Sequence, residues 1–327
     1  MSKIKNSRVL VTGGAGFIGS NLLERLLKQD NEVVCLDNFS TGKRENIIEF
    51  DKHKSFKLIE GDIRDYKTCK KAVTGCDYVL HQAALGSVPR SINDPLTSNE
   101  VNVSGFLNML KSSEEAKVKK FVYAASSSTY GDHPGLPKVE DKIGSPLSPY
   151  AVTKYVNELY AKVFSDIYEI NTIGLRYFNV FGRKQDPNGA YAAVIPKFIS
   201  LLMQKESPII NGDGSHSRDF TYIDNVIQIN QLAALADDKA NNTVYNVAYG
   251  ENTSLNGMVD ILKDLLSQYD KSINLVKIVN GPERKGDVKH SLADISKAKE
   301  LLHYSPQYSF KEGIREAVDW YWNNYGN

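Results

Sequence analysis

The stretch RVLVTGGAGFIGSNLLERLL, residues 8–27, decides the fold of this chain. It opens with a short β-rich run and closes with a run of helical character, and a glycine-rich turn lies between them. In this context such a turn is typical of a loop that holds a pyrophosphate at a helix N-terminus. The glycines fall as G-x-x-G-x-x-G, so Gly13 allows a tight turn, Gly16 a close backbone approach, and Gly19 close packing of helix on strand.

A second strand ends in a carboxylate at the distance that a ribose ligand requires. The run EVVCLD ends at Asp37, about 20 residues after the glycine loop. Its carboxylate would accept hydrogen bonds from ribose hydroxyls and repel a 2′-phosphate, which favours NAD over NADP. Lys43 and Arg44 follow a few residues later, and because their positive charges could bind a 2′-phosphate, NADP remains an alternative cofactor.

Strands and helices alternate along the chain. Further strands are predicted at residues 56–60, 77–81, 121–125, 172–176 and 243–248, and helices at 104–116 and 150–168. This alternation predicts an α/β fold, with a Rossmann-like doubly wound parallel sheet and a smaller α/β substrate-binding lobe. We expect a nucleotide-binding domain at residues 1–178, with a returning segment at about 221–247, and the lobe at residues 179–220 and 248–327.

A tyrosine and a lysine stand four residues apart in the run SPYAVTK. On a helix, Tyr150 and Lys154 would share one face, about one turn apart. A free phenol titrates near ~10, and an adjacent ammonium favours the phenolate and lowers that pKa. Such a tyrosine can take a proton from a sugar hydroxyl while a nicotinamide takes a hydride.

Two further strand ends carry polar side chains at the edge where ligands bind in such sheets. Ser126 opens a serine-rich turn, and its hydroxyl could orient a substrate oxygen toward Tyr150, although many serine-rich turns are only turns. His81 ends an earlier strand, and its interpretation stays open between a structural histidine and a cofactor contact.

Composition excludes several classes of function. The chain has 327 residues, of which 41% are hydrophobic and 24% charged, and its formal net charge is +1. It has no stripe of basic residues of the kind that binds nucleic acid. No apolar run reaches membrane length, and we expect no secretory leader. Three cysteines without a C-x-x-C pair suit reduced thiols and a cytoplasmic location, and the six histidines show no metal spacing.

Together these motifs resemble the extended short-chain dehydrogenase/reductases. The resemblance rests on the glycine loop, the Ser126 cluster, Tyr150 with Lys154, and the run RYFNVFG at residues 176–182. More narrowly, the chain resembles nucleotide-sugar 4-epimerases. Residues 83–91 and 187–197 are similar to the bacterial UDP-N-acetylglucosamine 4-epimerases, and the likeness runs over essentially the whole chain.

The resemblance implies a role for individual residues. Ser126, Tyr150 and Lys154 match the catalytic hydroxyl, the base and the lysine that holds the nicotinamide ribose. The expected NAD contacts are Gly13, Gly16, Phe17, Ile18, Gly19, Asp37, Asn38, Gly42, Asp62, Ile63, Gln82, Ala83, Ala84, Tyr150, Lys154 and Tyr177. The expected substrate contacts are Gly86, Ser87, Ser127, Asn179, Val194, Lys197, Asn211, Arg218, Arg284, Asp287 and Ser291.

The resemblance also implies a reaction and partners. Tyr150 would take the proton of the sugar 4-hydroxyl while C4 gives hydride to NAD, and the transient 4-keto sugar would turn and accept hydride on its other face. NAD would stay bound, because turnover regenerates it. The expected substrate is a UDP-N-acetylhexosamine, UDP-GlcNAc or UDP-GalNAc, in polysaccharide biosynthesis. A homodimer built from two helices per subunit is implied in the same way.

Two positions separate this chain from relatives of the resembled family. Related 4,6-dehydratases place an Asp-Glu pair after the catalytic hydroxyl, where this chain has Ser127 and Ser128. A serine cannot act as the general acid of an elimination, which argues against dehydration. Glucose-restricted epimerases carry a tyrosine where this chain has Ser291, and the smaller residue should admit a 2-acetamido group.

Other functions on the same scaffold remain open. The sugar could be UDP-N-acetylglucosaminuronic acid, with Arg90 or Arg183 as the cation near its carboxylate, or UDP-glucose. A decarboxylase or a reductase that releases NADH would use the same cofactor. A non-catalytic nucleotide sensor is a third class, and the intact Ser126, Tyr150 and Lys154 argue against it.

Overall fold

A computed structural model describes residues 3–189, 192–283 and 289–326. In chain order, the strands are β1 (Arg8–Thr12), β2 (Glu32–Asp37), β3 (Phe56–Glu60), β4 (Tyr78–His81), β5 (Lys120–Ser126), β6 (Thr172–Tyr177), β7 (Val180–Phe181), β8 (Ile209–Asn211), β9 (Ser217–Arg218), β10 (Thr221–Tyr222), β11 (Thr243–Val247), β12 (Thr253–Ser254) and β13 (Val279–Gly281). The α-helices are α1 (Phe17–Leu27), α2 (Tyr66–Val73), α3 (Val88–Asn93), α4 (Pro95–Asn99), α5 (Phe106–Glu115), α6 (Pro149–Tyr168), α7 (Val194–Met203), α8 (Ile223–Ala234), α9 (Leu255–Leu266), α10 (Ser296–Leu302) and α11 (Phe310–Tyr325).

The central sheet has seven strands in the order β11-β6-β5-β4-β1-β2-β3. All of its neighbouring strands pair in parallel. The chain leaves β1 toward β2 and β3 and later continues from β4 in the other direction, so the order reverses between β1 and β4. This is a doubly wound sheet, and ligands bind such sheets at the reversal point. The predicted α/β fold is therefore confirmed.

Strand bounds agree closely with the sequence prediction. Strands β1, β2 and β3 have the predicted bounds. Strand β5 is one residue longer than predicted at both ends, and the other predicted strands differ by one residue at one end. The main difference is a π-helical turn at Glu100–Gly105, which delays the start of α5 to Phe106. None of the helices in the described ranges combines the length and the apolar character that a bilayer crossing requires.

Smaller sheets follow β6 in the chain. Strand β7 pairs with β10, β8 with β13, and β9 with β12. Strand β11 returns to the edge of the central sheet beside β6. The division of the chain into a nucleotide domain and a substrate lobe at residues 178 and 248 stays a prediction.

Helix α6 has clear local start and stop signals. The Ser148 side chain accepts a hydrogen bond from the Ala151 amide at 3.1 Å, and Pro149 occupies the first turn. Glu169 ends the helix in the left-handed conformation, with φ of +58°. The helix spans 20 residues and carries Tyr150 in its first turn.

A buried ion pair fixes α6 against the sheet. The Arg176 Nε and Nη2 atoms donate to the two carboxylate oxygens of Glu158 at 2.9 and 2.7 Å. The side chains are only 3% and 7% exposed, so water screens the pair little. Arg176 also donates from Nη1 to the Glu140 carbonyl at 2.8 Å, which brings the chain before α6 into the same cluster.

We predict that Glu158→Leu lowers the free energy of unfolding by about 3–5 kcal/mol, because the Arg176 guanidinium is left buried without its partner. Urea unfolding followed by circular dichroism measures the change. The double variant Glu158→Leu/Arg176→Met should recover much of the loss. Lys162→Met, which removes an exposed ion pair with Asp166 on the same helix, should change stability by less than about 1 kcal/mol. A loss from Glu158→Leu no larger than that of the control would contradict the prediction.

Candidate active site

A cavity of about 510 Å³ opens at the carboxyl edge of the sheet, around the reversal point. Every residue predicted to contact the cofactor lines this first cavity, from Gly13 in the loop after β1 to Tyr177 at the end of β6. The catalytic candidates Ser126, Tyr150 and Lys154 line it as well. The volume lies in the range of small-molecule binding sites.

The glycine loop packs too closely to admit side chains at two of its glycines. Gly13 has a φ of +66°, and a Cβ there would lie 2.8 Å from the Ala83 amide nitrogen. A Cβ on Gly19 would lie 2.0 Å from the Gly13 carbonyl oxygen. Helix α1 begins directly after Gly16, which has no side chain to cap it. Its first amides therefore remain available for an anion, because they have no acceptor within the helix.

Asp37 serves the glycine loop as well as the cavity. Its carboxylate accepts hydrogen bonds from the amides of Ala15 at 2.9 Å and Phe39 at 2.8 Å. Burial raises the pKa of Asp37, and these backbone hydrogen bonds oppose the rise. The carboxylate therefore couples the loop after β1 to the end of β2.

The catalytic candidates meet at the ends of β5 and α6. The Tyr150 amide donates to Ser91 Oγ at 3.0 Å, which ties the start of α6 to α3. The Lys154 ammonium donates to the Ala124 carbonyl at 2.8 Å and lies 5.9 Å from the centre of the Tyr150 ring. The structure thus brings together the three residues that the sequence singled out.

Burial controls the titration of this pair. Desolvation raises the pKa of Tyr150, and a hydrogen bond with Ser126 lowers it only in part. Desolvation also lowers the pKa of Lys154 to about 8, against an opposing effect of Glu158. The sequence prediction that Lys154 lowers the pKa of Tyr150 is therefore wrong for the protein alone. The physical reason is that the phenol is buried and the ammonium binds a backbone carbonyl.

Ser128 was not predicted and orients Ser126. Its amide and its hydroxyl both donate to Ser126 Oγ, at 3.1 and 2.9 Å. With two donors on its oxygen, the Ser126 hydrogen points elsewhere, in keeping with its hydrogen bond to Tyr150. A serine-rich turn is the only signal in the sequence for this arrangement, and it does not say which hydroxyl donates.

His81 is a structural residue. Its ring lies 5.5 and 5.6 Å from the rings of Phe106 and Phe121, and Nδ1 hydrogen bonds with Thr12 Oγ1 at 2.8 Å. Burial lowers the pKa of His81 to about 3, so the ring is neutral at physiological pH. Thr12 Oγ1 in turn accepts from the Ala83 amide at 3.1 Å, so His81 supports the turn that lines the cavity.

A ring of three hydrogen bonds lies beside the same turn. The Asn230 amide donates to the Tyr177 hydroxyl at 2.9 Å, Tyr177 donates to Gln82 Oε1 at 3.2 Å, and the Gln82 amide donates to Asn230 Oδ1 at 3.2 Å. Sequence reasoning missed Asn230, because it arrives from α8, far along the chain.

Two further cavities adjoin the first. The second, of about 530 Å³, is lined by Ser126, Ser127, Arg218 and Ser291 among others. The third, of about 740 Å³, is lined by predicted substrate contacts; these are Gly86, Ser87, Val194 and Lys197. Asn179 lines all three cavities.

One predicted substrate residue among the described ones lies outside these cavities. Asn211 is exposed at the end of β8 and lines none of the three. Arg284 and Asp287 lie outside the described residues. Of the two cations proposed for an acidic sugar, Arg183 pairs with Asp224 at 2.6 Å, whereas Arg90 lines the first cavity.

Asp219 organises the segments that carry Asn179 and Ser291. Its carboxylate accepts hydrogen bonds from the amides of Tyr249, Gly250 and Ala293, at 3.2–3.3 Å. Its carbonyl accepts from the Asn179 side chain at 3.0 Å. Burial raises the pKa of Asp219 to about 7. No motif flagged this residue, because its partners come from distant parts of the chain.

A model of the NAD-dependent epimerase/dehydratase family matches residues 9–248, which include the whole nucleotide edge described above. The chain belongs to this family. NAD is therefore its cofactor, and the site fits it through the glycine loop, the free helix N-terminus and Asp37.

Several family members are similar over nearly their full length. A UDP-N-acetylglucosamine 4-epimerase from Methanobrevibacter ruminantium, solved with UDP-N-acetylmuramic acid, is 41% identical, with a TM-score of 0.91 over 98% of this chain and 100% of that one. The UDP-glucose 4-epimerase of Thermotoga maritima, solved with UDP-glucose, is 35% identical, with a TM-score of 0.89 over 97% and 99%. The UDP-glucuronate 4-epimerase of Thermodesulfobacterium geofontis is 36% identical over 95% of both chains.

The cations near Asp37 also suit NAD in this family member. Lys43 pairs with Asp186 at 3.0 Å, and Arg44 pairs with Glu60 at 2.6 Å. Each charge that the sequence left open for a 2′-phosphate therefore already has a carboxylate partner.

We predict that Ser128→Ala lowers kcat about 10-fold with little change in KM, because the Ser126 oxygen loses the Ser128 hydroxyl, one of its two donors, and its orientation is then held only by the Ser128 amide. A pH–rate profile should also shift its lower limb upward, since a misdirected Ser126 stabilises the Tyr150 phenolate less. Steady-state kinetics measure both effects. Ser145→Ala, at an exposed serine whose side chain makes no described catalytic contact, is the matched control. An unchanged kcat and pH profile for Ser128→Ala would contradict the assigned role.

Proposed function

We propose that this enzyme interconverts the C4 epimers of a UDP-N-acetylhexosamine, UDP-GlcNAc and UDP-GalNAc, and does so reversibly with resident NAD. One observation carries the proposal. Ser126 lines both the first cavity, which we call the cofactor cavity, and the second cavity. Tyr150 of α6 lies beside Ser126 and hydrogen bonds with it. A sugar hydroxyl in the second cavity would therefore meet the base at the point where the two cavities join.

The chain's own residues account for the proton chemistry. Tyr150 would take the proton of the sugar 4-hydroxyl at its phenol oxygen and return it later in the same turnover. Ser126, oriented by Ser128, would donate to the reacting oxygen or to the phenolate. Bound NAD would supply the hydride acceptor and donor, and a positive ring whose charge favours the phenolate. Lys154 would hold the nicotinamide-side ribose.

The nucleotide end needs firm binding and the sugar end needs room. Arg218 and Lys197 line the second and third cavities, and cations there suit a diphosphate. Arg284, Asp287 and Asn211 stay predicted substrate contacts. The hexose must turn over between the two hydride steps, so few hydrogen bonds should grip it. The small Ser291 in the second cavity agrees with this requirement.

The acetamido sugar is favoured over glucose by two observations. Ser291 is a small residue on the wall of the second cavity, which leaves room for a substituent at C2. The Methanobrevibacter ruminantium relative, described as a UDP-N-acetylglucosamine 4-epimerase, has the highest identity of the three compared above.

A second candidate substrate is UDP-N-acetylglucosaminuronic acid. Arg90 lines the first cavity near Gly86 and would place a cation within reach of an acidic sugar. Arg183 suits this role less well, because its guanidinium is committed to Asp224.

We also propose that the enzyme is a homodimer. Helix α6 carries an exposed apolar stripe, in which Val152, Leu159, Val163 and Ile167 are 47–65% exposed. A second copy that covers this stripe would remove it from water. Light scattering that returns the mass of a single chain would exclude the dimer. A cytoplasmic location and a role in polysaccharide biosynthesis stay predictions.

The function is tested by offering the purified enzyme UDP-GlcNAc, UDP-N-acetylglucosaminuronic acid and UDP-glucose. We expect NMR to detect the C4 epimer of UDP-GlcNAc without net absorbance at 340 nm. Tyr150→Phe should slow the conversion about 10²–10⁴-fold while NAD remains bound. Tyr155→Phe, one turn along the same helix, should keep its activity. Net NADH formation would instead indicate a dehydrogenase, and no product from any sugar would indicate a sensor.

Ser291→Tyr tests the sugar preference. The larger ring should fill the space for the acetamido group, so the ratio of kcat/KM for UDP-GlcNAc to that for UDP-glucose should fall about 10-fold or more. Ser291→Ala is the matched control and should keep the wild-type ratio. Equal ratios in the tyrosine variant and the wild type would remove Ser291 from the account of specificity.

A further inference from the structure

A short segment after β7 packs against helix α1 and against the chain between β2 and β3. We name residues 183–186, which follow β7, the cofactor strap. Its inner end is firmly fixed, since the Arg183 carbonyl accepts from the Asn21 side chain at 3.1 Å and the Arg183 guanidinium pairs with Asp224 at 2.6 Å. The same Asp224 pairs with Arg25 of α1 at 2.8 Å.

Lys184 anchors the middle of the strap. Its ammonium lies 2.9 Å from a Glu49 carboxylate oxygen and 3.3 Å from one of Glu24, and its side chain is only 12% exposed. The ammonium also lies 5.2 Å from the centre of the Phe50 ring. Two carboxylates, an aromatic face and low exposure make this a stable attachment.

The outer end of the strap reaches across the cofactor cavity. Gln185 and Asp186 line that cavity, and so do residues 40–42. Lys43 directly follows the second group, and its ammonium lies 3.0 Å from the Asp186 carboxylate. This ion pair therefore joins two separate segments of the chain that both line the cavity.

Exposure distinguishes this contact from the anchor. The side chains of Lys43 and Asp186 are 42% and 34% exposed, so solvent and salt reach the pair. An exposed ion pair of this kind is weak, whereas Lys184, which contacts two carboxylates and is itself only 12% exposed, holds the strap in place when the pair opens. The end of the strap can thus separate from residue 43 without loss of the rest of the segment.

We propose that Lys43 and Asp186 are cofactor-retention residues, whose ion pair closes the cavity over bound NAD and sets the rate at which the dinucleotide exchanges. The inference rests on the proposed function, in which NAD is regenerated at every turnover and has no reason to leave. Neither residue takes part in the proton chemistry, so their effect falls on exchange.

The test uses the holoenzyme as purified, transferred into an excess of isotopically labelled NAD. Mass spectrometry of the extracted dinucleotide gives the exchange rate. Lys43→Met and Asp186→Asn should each exchange about two- to fivefold faster than the wild type. The double variant should be no faster than the singles, because one interaction is lost in all three. Added salt should speed exchange in the wild type but not in the double variant.

Swapping the two charges distinguishes an effect of the ion pair from an effect of destabilising the segment in general. Asp186→Lys places two cations together and should exchange fastest, and Lys43→Asp/Asp186→Lys should return toward the wild-type rate. Lys205→Met removes a similarly exposed pair with Asp270, 3.1 Å apart and remote from the cavity, and should leave the rate unchanged. Equal rates in the wild type, the singles and the double variant would overturn the proposal. The readout is independent of epimerisation, so a wrong sugar assignment would be recognised separately.

Discussion

The buried pair of Glu158 and Arg176 is the interaction on which the active site depends. Glu158 lies on the same face of α6 as Tyr150 and Lys154, at successive intervals of four residues. Arg176 lies at the end of β6, directly before the residues that line the cavities. The two hydrogen bonds of this buried ion pair therefore fix α6, which carries Tyr150, relative to the end of β6. Local capping starts α6, and this ion pair aligns it with the sheet together with the hydrogen bond from Lys154 to the Ala124 carbonyl of β5.

Burial shapes the chemistry as much as residue identity does. The Tyr150 phenol and the Lys154 ammonium are both desolvated, and each is driven toward its neutral form. Titratable groups whose pKa values are shifted by burial cluster at functional sites, and both of these line the first cavity. The amide and the hydroxyl of Ser128 both donate to Ser126 Oγ, and this orients the Ser126 hydroxyl beside Tyr150.

Most of the fold could be predicted from the sequence, because local patterns mark the strands and helices and their alternation along the chain implies a parallel sheet. Residues at strand ends could be assigned to one edge before their contacts were known, which is why the cofactor candidates line one cavity. Contacts between distant parts of the chain could not be predicted in this way. Asn230 lies 148 residues from its partner Gln82, and Asp219 lies 30–74 residues from the amides that it binds. Asp186, the partner of Lys43, likewise comes from a distant loop. The direction of the Tyr150 pKa was wrong because neighbours in sequence carry no information on desolvation.

Asn179 borders all three cavities and has a backbone φ of +36°. A replacement at Asn179 would change the lining of all three cavities at once and would also have to accept a left-handed backbone. Ser291 lines the second cavity alone, so a replacement there would reshape one cavity and leave the linings of the other two unaltered.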